Sequence, residues 1–193
     1  MARTREFDPA AALDQAMEVF WDRGYAATSM DDLVKATGVS RYGIYGTFGN
    51  KRELFRAALA HYAQAQQQSV MAPLLKPDAG LPEIRECFAR RLKFAAGEAG
   101  MRGCMICNAA TELGPKDDVL SADARGLLDT TGEALKTALE TAVRTGQVAG
   151  NLDTKAAADR LLGAMIALAV LARAGYRRRR LKQLVDGALA PLA

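Results

Sequence analysis

The stretch TSMDDLVKATGVSRYGIYGTFGNKREL, residues 28–54, decides the fold. Two short segments with helical spacing flank Gly38-Val39-Ser40. The first offers Met30, Leu33, Val34 and Ala36 to a core, and the second offers Ile44 and Phe48. Gly38 stops the first helix, and Ser40 is suited to cap the second, which the spacing predicts over 41–48. Thr28-Ser-Met-Asp31 reads as a capping box with Asp in place of Glu, opening helix two at about Ser29. Asn50-Lys-Arg-Glu53 reads as another. It opens a long fourth helix whose buried face is Leu54, Phe55, Ala58, Leu59 and Tyr62. Val39 fills the angle between the two short helices, which leaves Arg41, Tyr42, Gly43, Tyr45 and Thr47 toward solvent. An apolar back and a polar or aromatic front are what a helix-turn-helix needs to lay its second helix against DNA.

Upstream, Asp8-Pro9 is a strong helix start, with Leu13, Ala16, Met17 and Phe20 following at helical spacing. Gly24 ends that helix as a left-handed residue. Downstream, Pro73, Pro77, Gly80 and Pro82 break the pattern and mark a boundary. Helices are expected over 82–96, over 103–113 (closed by Gly114-Pro115), and over 118–145. Two more are expected over 154–174 (capped by Asp153) and over 178–189. Strand-like alternation and internal repeats are absent, so the chain reads as all-α. Its expected parts are a three-helix helix-turn-helix DNA-binding domain at 1–50, a linking helix at about 50–70, and a second helical domain at 70–193, for which the resemblance given next implies effector binding and dimerisation.

Residues Phe20, Gly24-Tyr25, Thr28-Ser-Met, Leu33, Ala36 and Gly38-Val-Ser40, then Arg41-Tyr-Gly-Ile-Tyr45, Phe48-Gly-Asn-Lys51 and Glu53-Leu54, closely resemble the TetR family of repressors. The resemblance covers about 9–59 and implies the roles that follow. Thr28 caps helix two near a phosphate, with Ser29 beside it and Ser40 capping helix three. Arg41 reads a base edge, since guanidinium pairs well with guanine. Tyr42, Gly43 and Thr47 lie on the recognition face, Tyr45 meets the backbone, and Lys51 meets phosphate at the start of helix four. Many members have Gly followed by Thr or Ser where this chain has Tyr42-Gly43, and an aromatic followed by His where it has Gly46-Thr47. No operator sequence therefore transfers. The implied protein is a cytoplasmic homodimeric repressor on a near-palindromic double-stranded operator, released by a small molecule, an electrophile or an oxidant.

Gly103-Cys104-Met-Ile-Cys107-Asn108 is the second informative stretch. Its two cysteines lie one helical turn apart on one face. Cys104 is expected in the first helical turn, where the helix dipole and Arg102 favour thiolate. The segment resembles the matching helix of TetR-type repressors that sense electrophiles or oxidants through cysteine. Buried, inert thiols remain the other reading. A zinc site lacks ligands, because the single histidine, His61, is distant in sequence. A thioredoxin-like enzyme lacks a βαβ setting, and no catalytic constellation is present. The competing class is a helical thiol-redox or protein-interaction module without DNA contact.

An effector pocket is expected around Phe88, Leu92, Met101, Met105, Ile106 and Leu128, with Asn108 as a polar contact. The 154–174 helix is apolar on nearly all sides, so Leu161, Leu162, Met165, Ile166, Leu168 and Leu171 are expected to form a two-fold interface with Leu184 of the last helix. No cofactor or metal is called for. No apolar run reaches the roughly 20 residues a bilayer needs, and no secretory h-region follows the charged start, so neither membrane nor export is expected.

The net charge is +4, but residues 1–60 carry eight Lys/Arg against eight Asp/Glu. The excess lies near the C-terminus, where Arg173, residues 177–180 and Lys182 face only Asp186. With the dimerisation end expected far from DNA, residues 177–180 read as a solvated helix start. Their position opposes the helix dipole.

Overall fold

A computed structural model describes residues 7–114 and 116–192. Nine α-helices are present among them: α1 Pro9–Arg23, α2 Met30–Thr37, α3 Arg41–Phe48, α4 Lys51–Ser69, α5 Leu81–Ala95, α6 Met105–Leu113, α7 Asp118–Arg144, α8 Thr154–Arg173 and α9 Arg178–Leu189. Short 3-10 turns occupy Ala72–Leu75, Glu98–Arg102 and Ala190–Leu192, and the described residues contain no strand.

Local capping explains most helix starts. The side chains of Asp8, Ser40, Asn50, Asp117 and Asp153 each accept from backbone N–H groups of the turn they open. The Asn50 box is half made: its Oδ1 accepts from Glu53 N at 3.0 Å, while the Glu53 carboxylate accepts from Arg56 instead. Gly24 has φ +82° but ψ 176°, an extended shape with positive φ rather than the expected left-handed turn. Gly38 does adopt the left-handed conformation, φ 65° and ψ 6°. Pro115 lies outside the described residues, as do the first six.

Two apolar cores form. The first holds Phe20, Trp21, Leu33, Ile44, Leu54, Phe55 and Tyr62, and it continues into Cys104, Met105, Leu113, Leu120 and Ala169. Thus α6 and the start of α7 pack into the same core as the helix-turn-helix. Edge-on aromatic pairs at about 5 Å (Phe20 with Phe55, Trp21 with Tyr62) tie α1 to α4. The second core joins α5, α7, α8 and α9 through Ile84, Phe88, Leu135, Leu139, Leu161, Leu168, Leu181 and Val185.

Three residues expected at a dimer interface, Leu161, Met165 and Leu168, are buried in this second core. The chain's own α5, α7 and α9 already surround α8, and that explains why the helix is apolar on so many sides. No described helix is long and apolar enough to cross a membrane.

Candidate nucleic-acid interface and thiol site

Helices α2 and α3 form the expected helix-turn-helix. Val39 is buried between them and Ile44 anchors α3 inward. The capping of α2 differs by one residue from the sequence expectation. Ser29, not Thr28, is the N-cap: its Oγ accepts from Asp32 N at 3.1 Å, and the Asp32 carboxylate accepts from Ser29 N at 2.9 Å. The hydrogen bonds from Ser29 hold Asp32 at a pKa of about 2, and Arg23 at 2.6 Å adds to this. Thr28 is buried, and its hydroxyl donates to Gly24 O at 2.6 Å. It buttresses the α1–α2 turn, and Ser29 is the exposed hydroxyl.

On α3, Tyr42 is 84% exposed, and Arg41, Tyr45 and Gly46 are also exposed. Arg41 Nη2 rests 2.7 Å from Asp31 Oδ1 across the turn. Both side chains are solvated, so the pair contributes about 1 kcal/mol or less and yields readily to a stronger partner. Gly43 was expected on the outer face but is tucked inward. A Cβ there would lie 2.8 Å from Val39 Cγ1 and 3.3 Å from Phe7 Cε1. Gly46 is the glycine that faces open space, and Thr47 is half-buried. Ser40 Oγ accepts from Gly43 N at 3.1 Å. At the start of α4, the Lys51 ammonium sits 4.4 Å from the Tyr25 ring centre, and partial burial there lowers its pKa.

The two cysteines are both buried and line one small cavity of about 50 Å³ with Gln66, Met71, Arg91, Ile106, Leu128, Leu162 and Ile166. Cys104 is the N-cap of α6 rather than a residue of its first turn. Its cation is Arg91 of α5 and not Arg102. Arg102 reaches back to Glu18 and Asp22 and stacks 3.8 Å over the Trp21 ring.

Arg91 is buried, and its Nη1 donates to Gln66 Oε1 at 3.1 Å. Its Nε and the hydroxyl of buried Tyr62 find no partner among the described residues. The Cys107 hydrogen bond and the Arg91 charge hold the Cys104 thiol well below its ordinary pKa, against the cost of burial. Cys107, hydrogen-bonded to Cys104 and also buried, is pushed the other way, above its ordinary pKa. Cys87 packs against Met71 and is pushed up to about 12 by burial, an inert thiol.

The expected pocket residues scatter. Ile106 and Leu128 do line the cavity. Phe88 and Met105 are fully packed in the cores, Leu92 packs beside the second core, and Met101 is exposed. The Asn108 amide donates to Arg102 O at 3.0 Å and faces a separate open groove with Trp21, Arg23, Glu112 and Arg173. Arg91 was missed, although its position on the Ile84, Phe88 and Ala95 face set a lone cation in a buried stripe.

Helix α6 also touches the DNA-binding end of the molecule. The Glu112 carboxylate accepts from Tyr25 N at 3.0 Å and Ala26 N at 2.7 Å, within the α1–α2 turn. A Cβ at Gly24 would strike that carboxylate at 2.4 Å. At the other end of α6, Trp21 Nε1 donates to Gly103 O at 3.2 Å. Arg52 pairs with Asp117 at 2.5 Å and Arg56 with Asp123 at 2.6 Å, joining α4 to α7.

Of the remaining interface expectations, Leu162 and Ile166 line the thiol cavity. Leu171 and Leu184 are half-buried and line an outer groove of α8 and α9, floored by Gly163, Ala164, Ala167 and Gly187.

A capped helix-turn-helix with an exposed aromatic and cationic front, carried on a helical body, defines a DNA-binding regulator. Residues 12–58 match the tetR family of bacterial regulatory proteins, and residues 80–188 match the tetracyclin repressor-like C-terminal domain. An uncharacterized HTH-type transcriptional regulator of Bacillus subtilis, YezE, is 31% identical over all of both chains. The HTH-type transcriptional repressor ComR of Escherichia coli is 37% identical over 58% of this chain and 54% of its own. The TetR family regulator CifR, solved as a cysteine mutant complexed with 26-bp double-strand operator DNA, superposes with a TM-score of 0.85. That structure is 28% identical and covers 99% of this chain and 100% of the other. The chain belongs to the tetR family and is a DNA-binding transcriptional regulator, in a family of regulators rather than enzymes.

Proposed function

We propose that this regulator is a repressor which leaves a near-palindromic operator when a small electrophile or oxidant modifies Cys104. The observation that carries the proposal is that one short helix bears both ends of the switch. The α6 N-terminus holds the Cys104 thiol in one cavity with buried Arg91, and its C-terminal turn holds the α1–α2 turn through Glu112.

A cavity of about 50 Å³ has room for a few heavy atoms and no more. Modification that enlarges or neutralises Cys104 removes the anion from buried Arg91 and forces α6 to shift, because packed interiors do not deform smoothly. A signal acts only as far as it favours the released form over the bound one.

Residues 1–50 are the reading head in this account, helix four the link, and 70–193 the sensing and dimer part. Ser29, Arg41, Tyr42, Tyr45, Gly46 and Lys51 are its DNA-facing residues. The groove of Leu171 and Leu184 is the face for a second copy of the chain.

The test is fluorescence anisotropy on duplexes that the protein selects from random sequence. Methyl methanethiosulfonate, which caps thiols with a small group, serves as the electrophile and hydrogen peroxide as the oxidant. Capping should release the wild type, and Cys104→Ser should hold the duplex under both reagents. Release of Cys104→Ser to the same extent as wild type would sink the proposal.

A further inference from the structure

Residues 177–180 are four consecutive arginines at the start of α9, all exposed. Among the described residues none of the four makes an ion pair, whereas nearby Lys182 is held by Asp186 at 2.6 Å. Four unpaired guanidinium groups beside the positive end of a helix dipole repel one another and the helix, an arrangement that an external anion relieves. The sequence pattern placed them at the end of the molecule remote from DNA, and the fold does not.

The C-terminal end of α8 reaches the DNA-binding helices. Arg173 Nη1 donates to Arg102 O, and Arg102 in turn pairs with Glu18 and Asp22 of α1. Val170, Arg173 and Ala174 share one groove with Trp21, Arg23 and Gly24. Arg177 follows Ala174 by three residues, at most about 10 Å of chain. The cluster therefore sits at the end of the body that adjoins the helix-turn-helix.

The reading head together with the start of helix four carries no net charge, with eight Lys/Arg against eight Asp/Glu in residues 1–60. A protein that holds duplex DNA draws much of its affinity from neutralised phosphates.

We propose that Arg177, Arg178, Arg179 and Arg180 form a second, sequence-independent DNA contact. It binds phosphates of the operator between the half-sites and supplies the charge that the helix-turn-helix lacks. A two-fold axis along the α8–α9 groove, the dimer face proposed above, sets the two clusters side by side between the two reading heads. Planar guanidinium groups suit phosphate oxygens. The contact adds affinity without adding sequence preference.

The experiment compares wild type with a variant carrying Arg177→Gln, Arg178→Gln, Arg179→Gln and Arg180→Gln. Both are measured by anisotropy against salt on a selected duplex and on a scrambled one. All four side chains are exposed, so the variant should keep the circular dichroism spectrum of wild type. Arg180 also borders the α8–α9 groove, and an unchanged sedimentation coefficient verifies that the variant keeps the dimer.

Two phosphate contacts per protomer make four per dimer. Their loss should flatten the slope of log K against log salt by about 3 to 4, at about 0.9 for each phosphate. Affinity at physiological salt should fall at least about tenfold on both duplexes. A set of four Arg→Lys substitutions should restore most of the slope, since a point charge serves a phosphate.

An unchanged slope in the Gln variant overturns the proposal. So does a variant that sediments as a monomer, which would assign the cluster to subunit contact. Wild type that binds neither duplex would instead be a failure of the repressor reading.

Discussion

The Glu112 clamp yields the most sharply defined prediction. Its carboxylate receives two backbone N–H groups of the α1–α2 turn, Tyr25 at 3.0 Å and Ala26 at 2.7 Å. Substitution Glu112→Ala removes both bonds at once. Hydrogen bonds to a charged group contribute about 1.5–3 kcal/mol each, and those left unmade in a half-exposed turn are partly replaced by water. A net loss of about 2 kcal/mol follows for the pair. For a chain of this size that lowers Tm by about 4–8 °C. Glu112→Gln keeps one acceptor oxygen and should lose about half as much.

Thermal melts by circular dichroism measure the size of the effect, and hydrogen exchange locates it. Protection should fall first at the amides of Tyr25 and Ala26, with the α9 amides unaffected. A melt within about 1 °C of wild type, with both amides still protected, would show that Glu112 does not hold the turn. The coupling between α6 and the reading head would then need another carrier.

Four further outcomes follow from single sites. Arg91→Met removes the cation beside Cys104, so the thiol should return toward or above its ordinary range, and alkylation of Cys104 at neutral pH should slow at least about tenfold. Because the Cys104 pKa is depressed on folding, the thiolate's contribution to stability is full above about pH 8.5 and fades as pH falls through the folded value. Denaturant midpoints measured against pH should show this fade in wild type and not in Cys104→Ser. Gly46→Ala, in open space, should stabilise α3 by up to about 1 kcal/mol, whereas Gly43→Ala should destabilise it by its clash with Val39, both read by urea titration. Leu161→Ala should cost about 2–5 kcal/mol and leave the proposed dimer intact, while Leu184→Arg, in the proposed dimer face, should dissociate it in sedimentation with little change in the fold.

Helix limits were readable in the chain because caps are local. Asp8, Ser40, Asp153 and Gly38 act on neighbours within four residues, and the sequence places those neighbours unambiguously. Where the local code is doubled, the reading slips: Thr28-Ser29 and Asp31-Asp32 offer a capping box in two registers. Burial of the Thr28 methyl and hydroxyl against Gly24 selects the second.

The thiol pair was legible as a pattern, but its cation was not. Arg102 is adjacent in sequence, yet its side chain turns to α1, while Arg91 arrives from a helix packed alongside. Glu112 is invisible for the same reason, since its partners lie 86 and 87 residues away. The apolar girth of α8 was read as a subunit contact because a sequence cannot say how many helices surround another in the same chain. Leu161, Met165 and Leu168 are covered from within.

The chain has one tryptophan, and it stands where the two halves of the molecule meet. The Trp21 indole donates to Gly103 O, lies under the Arg102 guanidinium, stacks parallel to Phe94 and meets Tyr62 edge-on. Every one of those partners belongs to α4, α5 or the segment leading into the cysteine helix. Its emission is therefore a built-in optical gauge of the joint. The field of the guanidinium over the ring and the indole's hydrogen bond both change if α6 shifts, which moves the emission maximum, and the proposed shift can be timed in the unlabelled protein by stopped flow.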